Sequence, residues 1–189
     1  IPVIIGAIRG EGHTLWARLD QLMTWFHCFP GNHEGIVRAP YSAPTANISL
    51  KVRVLPFGRY YFDEFLRTGE DTAFSRKVRT AGFDIVFSPH PEVGHRDRNQ
   101  LVDFLKHQYE FGRHHYVISH LDLGISRLFL HPLYRFFFAL AFVFALPFYS
   151  AVGCTLNISP CLRRDARNLI YWPLIQVVWL LKGAAVLES

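Results

Sequence analysis

The sequence predicts an α/β domain followed by one or two membrane helices, on three observations. Ile1 to Ile8 is a run of mostly branched apolar residues, the pattern of a buried strand. Residues 68–95 place an amphipathic helix before a short aromatic strand. Phe136 to Ile158 then runs without a charged residue, about the ~20 residues that cross a bilayer. Of the 189 residues, 50% are hydrophobic, and they crowd into the last third, so a soluble domain with a membrane segment fits better than one soluble core. The charge of +5 and a pI near 9.3 suit anionic partners: nucleotide diphosphates, acidic lipid surfaces or nucleic acid. Cys28, Cys154 and Cys161 show no Cys-x-x-Cys spacing, which indicates neither a disulfide framework nor a zinc site and points to a reducing compartment.

The opening strand has neither a Met nor a signal-peptide pattern, and the chain reads as truncated upstream. A helix is expected over 14–29: Leu15, Leu19, Leu22, Met23 and Phe26 share one face, Arg18, Asp20 and Gln21 take the other, and Pro30-Gly31-Asn32 ends it. Residues 35–58 read as loops and short strands broken by Pro40, Pro44 and Pro56. Within them, the small residues of Thr45-Ala46-Asn47-Ile48-Ser49 let backbone approach a ligand, and Asn47 offers both a donor and an acceptor. A turn-forming Asn would look the same.

The stretch from Thr68 to His95 organises the rest. Phe74, Val78 and Ala81 recur at helical spacing, with Arg76, Lys77 and Arg79 off that face. Thr68-x-x-Asp71 is a capping-box pattern, and Glu70 and Asp71 suit the positive end of a helix dipole. Gly82 suits the helix end, Phe83 to Phe87 reads as a strand, Pro89 and Pro91 stop it, and His95 falls in the turn beyond. The next helix, about Asn99 to Ser119, buries Leu101, Phe104, Leu105 and Phe111, with Gln108 on the same face and in need of a partner. In the tail, Arg135 flanks the first apolar run and Pro147 can kink it. Arg163-Arg164-Asp165-Ala166-Arg167 breaks the run before Leu169 to Leu187, which carries Trp172, Gln176, Trp179 and Lys182 and either crosses again or lies in the interface. Basic residues lie on both sides of the first run, so charge does not set its orientation.

The order of these pieces resembles the family 2 glycosyltransferases, enzymes of the GT-A fold. The matching pieces are Thr45-Ala46-Asn47, Gly58 with Phe62-Asp63-Glu64, Glu70-Asp71, Gly82-Phe83, Ile85-Val86-Phe87 and His95. The resemblance implies that residues 1–120 are the C-terminal, acceptor half of a GT-A catalytic domain and 121–189 a membrane-associated helical tail. It implies an inverting, hexosyltransferase-type enzyme of polysaccharide biosynthesis, which moves a sugar from a nucleotide-diphosphate donor to a saccharide or lipid-linked hydroxyl. The implied partners are that donor, that acceptor and membrane lipid, with no nucleic acid, and the catalytic part lies on the cytoplasmic side.

By the same resemblance Asp71 is the general base, and Glu70 orients or caps it. Successive helical residues point about 100° apart, so only one of the two carboxylates can face a shared cleft. Thr45 and Asn47 map to acceptor contacts and His95 to a late ligand of a divalent metal, Mg or Mn. The main metal ligands, an Asp-x-Asp, would lie upstream with the first nucleotide-binding strands, so this fragment alone is not expected to turn over a sugar nucleotide. Two departures stand out. Arg59-Tyr60-Tyr61 lengthens the spacing from Gly58 to Phe62. The Gln-x-x-Arg-Trp of processive relatives is reduced to Gln108 and Arg113, which argues against a long-chain synthase and leaves those two as acceptor or phosphate contacts. Two other readings are a noncatalytic membrane anchor or partner subunit, with Glu70-Asp71 as a cap, and a His-box membrane metalloenzyme built on His90, His95, His107, His114, His115 and His120. The histidine spacings do not match HxxxH or HxxHH.

Overall fold

A computed structural model of the chain describes residues 1–39, 41–58, 61–64, 66, 68–122 and 131–187, with the side chains of 114–122, 157, 160, 163, 164 and 187 excepted. His114, His115, His120, Arg163 and Arg164, and Arg59 and Tyr60 of the lengthened spacing, therefore lie outside the side chains described. The chain is mixed α/β and forms two compact units, Ile1–Asn99 and Gln100–Ser189.

The first unit is built on a four-stranded mixed sheet in the order β2-β4-β1-β3. Its strands are β1 (Val3–Gly10), β2 (Gly35–Ile36), β3 (Ile48–Leu50) and β4 (Ile85–His95). β1 runs parallel to β4 and antiparallel to β3, and β2 is antiparallel to β4. β1 sits in the middle, where Val3, Ile5, Ala7 and Ile8 are fully buried, as the apolar run requires. β4 does not stop at Pro89 and Pro91. Ile5 pairs with Phe87 and Ala7 with Glu92, so two steps on β1 face five on β4. The prolines sit in this break, where the missing N–H groups cost no ladder bonds. His95 is thereby the last residue of a strand, paired with Gly10, and not part of a turn.

Helix α1 (Leu15–Thr24) begins at a Thr14 cap, whose Oγ1 accepts the Ala17 amide, and gives way to a 3-10 turn at Phe26–Cys28 instead of continuing to residue 29. Leu15 is exposed in the first turn, whereas Asp20 and Gln21, expected on the solvent face, are buried. Apolar periodicity misplaces them because a polar side chain with bonded partners can be buried too. Helix α2 (Glu70–Thr80) starts after Gly69, which caps in the left-handed region at φ 80°; Thr68 makes no capping bond. Phe74 and Val78 bury into the core with Val3, Ile5, Ala7, Ile85 and Phe87, while Ala81, expected on that face, is exposed at the helix end. Each such buried side chain contributes about 1.5–3 kcal/mol of transfer free energy.

The second unit holds α3 (Leu101–Asp122), α4 (Pro132–Arg164) and α5 (Trp172–Leu187). On α3, Phe104 and Gln108 are fully buried and Leu101 is exposed, which corrects the expected face at its first turn. α4 continues through Pro147, whose carbonyl accepts the Ser150 hydroxyl at 2.9 Å. Small residues let these helices close: a Cβ on Gly112 of α3 would collide with the Lys182 backbone, and one on Gly153 would collide with the Trp179 ring. Pro132–Leu156 and Ala166–Val186 are each long and apolar enough to cross a membrane. Phe136, Phe137, Phe144 and Phe148 stand exposed along α4, unlike the residues of a soluble core helix.

Candidate active site

Asp71 occupies the second position of α2. Its Oδ1 accepts the Thr72 amide at 2.7 Å and the Thr72 hydroxyl at 3.3 Å. Burial first, and the neighbouring charge of Glu70 second, push its pKa up to about 6; the bonds from Thr72 hold it from rising further. The Cys28 thiol is pushed above its usual range by burial and then by the charge on Asp71.

Several elements fix this turn. The Phe62-Asp63-Glu64 segment docks on α2 through a Phe62–Phe74 ring contact at 4.9 Å and an Asp63–Lys77 ion pair at 3.1 Å. Ser75 links the turn to the segment that leads into Thr45: its Oγ donates to the Asp71 carbonyl and accepts the Ala43 amide. Thr45 is exposed at the start of a 3-10 turn, Thr45–Asn47.

Asn47 has a structural task as well. Its Nδ2 donates to Ala7 O and to Pro91 O, both at 2.9 Å, bridging the break between β1 and β4. Gly6 permits this, because a Cβ there would run into the Asn47 side chain and the Pro91 carbonyl. Both amide hydrogens are thus in use, and Oδ1 is the atom left to meet a ligand.

His95 belongs to a buried polar cluster that the sequence reading missed. Its Nδ1 lies 3.2 Å from Asp97 Oδ1, while Asp97 Oδ2 accepts the Gly12 amide at 2.9 Å and Gln21 Nε2 at 2.7 Å. Beside it, Asp20 pairs with Arg98 at 3.0 Å, and the Trp25 ring packs on His95 at 4.7 Å between centroids. The signal available was His95-x-Asp97, a carboxylate two residues beyond an imidazole. Nothing in the periodicity of residues 14–29 turns Asp20 or Gln21 inward.

A carboxylate beside Nδ1 orients the ring, and in the tautomer with its hydrogen on Nδ1 the Nε2 atom offers a lone pair, as in metal-binding histidines. Among the described residues no three His, Cys, Asp or Glu side chains converge, so His95 fits a divalent metal only as one ligand among others supplied elsewhere. Gln108 and Arg113 belong to the helical unit, where Gln108 is buried and Arg113 exposed. The structure therefore joins Asp71, Glu70 and the approach to Thr45, while Asn47 and His95 bond to other groups. No family model, curated protein or solved structure matches the chain.

Proposed function

We propose that this chain carries the acceptor side of an inverting glycosyltransferase of the family 2, GT-A type, acting on a membrane-bound or membrane-proximal acceptor. The observation that supports it best is Asp71: a partly buried carboxylate on the first turn of a helix held to its surroundings by Ser75 and the Phe62–Glu64 segment, with a pKa near 6. At neutral pH such a group is mostly ionised yet more basic than an ordinary Asp, as a general base requires.

In the proposed reaction Asp71 takes the proton of an acceptor hydroxyl as that oxygen attacks the anomeric carbon of the donor. The bond from that carbon to the diphosphate breaks, the electron pair leaves with the nucleoside diphosphate, and the configuration inverts. A bound Mg or Mn would offset the charge of the leaving diphosphate, with His95 Nε2 as one ligand. Glu70 supports the reaction through its charge, which helps keep Asp71 basic. The apolar helices α4 and α5 suit a membrane location, with the catalytic unit on the cytoplasmic side where sugar nucleotides occur.

Asp71 also accepts a first-turn amide, that of Thr72, and a carboxylate there suits the positive end of the helix whether or not it takes part in chemistry, which supports the second reading, a noncatalytic membrane partner subunit. An assay of the intact protein in membranes with Mg or Mn, a panel of UDP- and GDP-hexoses and oligosaccharide or polyprenyl-phosphate sugar acceptors tests the two. Acceptor-dependent release of nucleoside diphosphate is expected. No release across the panel from folded protein would favour the partner subunit.

A further inference from the structure

Around His95 the fold builds a polar cluster at the carboxyl ends of two parallel strands, where ligands of α/β sheets gather. β1 and β4 finish opposite each other, at Gly10 and His95, and α1 starts a short loop later behind its Thr14 cap. The Asp97 side chain is fully buried there, with both oxygens in use. Oδ1 lies 3.2 Å from His95 Nδ1, and Oδ2 accepts the Gly12 amide at 2.9 Å and Gln21 Nε2 at 2.7 Å. So enclosed, Asp97 cannot touch a ligand itself. His95 can: its side chain is 25% exposed, and Nε2 has no hydrogen-bond partner among the described residues yet is not closed off from solvent. The Trp25 ring, 4.7 Å away between centroids, limits how the imidazole can turn.

The hydrogens of the cluster follow from its donors. Gln21 Nε2 also donates to the Gly12 carbonyl at 3.1 Å, and Gln21 Oε1 accepts from Arg18 at 3.2 Å, so a single orientation of the amide serves every contact. Asp97 Oδ2 thus receives two N–H groups that can only donate. An ionised carboxylate has no hydrogen to offer the imidazole, so a neutral ring meets Oδ1 by carrying its own hydrogen on Nδ1. Nε2 is then the nitrogen with the lone pair.

We propose that Asp97, itself held by Gly12 and Gln21, is a positioning residue that fixes His95 in the Nδ1–H tautomer and so presents Nε2 as a lone pair to a divalent cation. Neutral imidazole binds such cations through one nitrogen while the other donates to a carboxylate. The cation rests on the glycosyltransferase reading of the chain; the tautomer does not. Gln21, expected on the solvent face of its helix, thereby acts on the site through Asp97.

Asp97→Asn tests this, because the two donors at Oδ2 choose how the new amide sits. Its oxygen must face Gly12 and Gln21, which turns its NH2 group toward His95 Nδ1 and makes that nitrogen the acceptor. The tautomer should invert. Long-range proton–nitrogen NMR spectra of the intact, detergent-solubilised protein carrying nitrogen-labelled histidine read this directly at about pH 8, where imidazole is neutral. His95→Gln identifies the signals. The hydrogen is expected on Nδ1 in wild type and on Nε2 in Asp97→Asn. A wild-type ring with its hydrogen on Nε2, or a folded Asp97→Asn protein that keeps the wild-type tautomer, would overturn the positioning role. Binding of Mn²⁺ alone, followed by electron paramagnetic resonance, is expected to weaken about 10- to 100-fold in Asp97→Asn, although no ligand atom has been removed. Wild-type protein that binds no Mn²⁺, or His95→Gln protein that binds it as tightly as wild type, would overturn the cation assignment. The expected tautomers and Mn²⁺ binding in a protein that transfers no sugar would uphold the proposal and count only against the transferase reading.

Discussion

The Ser75 hydroxyl donates to the backbone carbonyl of Asp71 at 2.7 Å and accepts the Ala43 amide at the same distance. One side chain thus ties the first turn of α2 to the segment before Thr45, and Ala43 is fully buried. Ser75→Ala leaves that amide without its acceptor and is expected to cost about 1–3 kcal/mol. Urea unfolding should show a lower midpoint with an unchanged slope. An unchanged midpoint would mean that the two segments are held by other contacts.

Asp71 also sets a pH dependence. Its folded pKa of about 6 lies above the ordinary carboxyl value, so the fold prefers the protonated form. The resulting penalty is fully present above pH 6 and is relieved as the pH falls from 6 toward 4. Asp71→Asn should therefore raise stability at pH 7.5 by on the order of 1–3 kcal/mol and change little at pH 3.5. Denaturant midpoints at the two pH values check this, and equal midpoints at pH 7.5 would contradict it.

The break between β1 and β4 gives a coupled pair. Asn47→Ala removes both bridging bonds and should cost about 2 kcal/mol, while Gly6→Ala forces its new methyl against Asn47 and Pro91. Because Asn47 is part of what that methyl meets, the double variant should be less destabilised than the two single losses added together. Simple additivity of unfolding free energies would show that the methyl is resisted by the Pro91 carbonyl alone.

On α4 the exposed phenylalanines make membrane insertion testable. Phe144→Lys with Phe148→Lys places two charges on a face that would lie in lipid, each costing about 2.5–3.5 kcal/mol on an insertion scale. Wild-type protein should stay in membranes through alkaline extraction, and the double variant should be released. Wild-type protein recovered in the soluble fraction would contradict a spanning α4.

These residues show where sequence reasoning reaches and where it stops. Strand β1, the apolar face of α2 at Phe74 and Val78, and the long apolar helices follow from periodicity and length, because burial is what those patterns encode. The bridging role of Asn47 and the passage of β4 through Pro89 and Pro91 depend on a partner strand distant in sequence, which no local pattern carries. Thr68 matched a capping box, yet Gly69 took the cap, since a left-handed glycine can open the helix without a side-chain bond. The order of motifs around Asp71 singled that residue out, and the structure shows its carboxylate on the first turn of α2. The Asp97, Gln21 and His95 cluster was not legible, because a buried carboxylate is licensed by partners that only the fold assembles.

The proposed reaction depends on Asp71 as a proton acceptor. Asn at position 71 can still accept the Thr72 amide, so Asp71→Asn separates a base from a structural acceptor of that amide. Transfer from nucleotide sugar to acceptor, measured on the intact wild-type and Asp71→Asn proteins at pH 7.5, tests it most directly. The expected result is a folded variant whose kcat is lower by about 10²–10⁴. A folded Asp71→Asn protein that transfers sugar at the wild-type rate would contradict it.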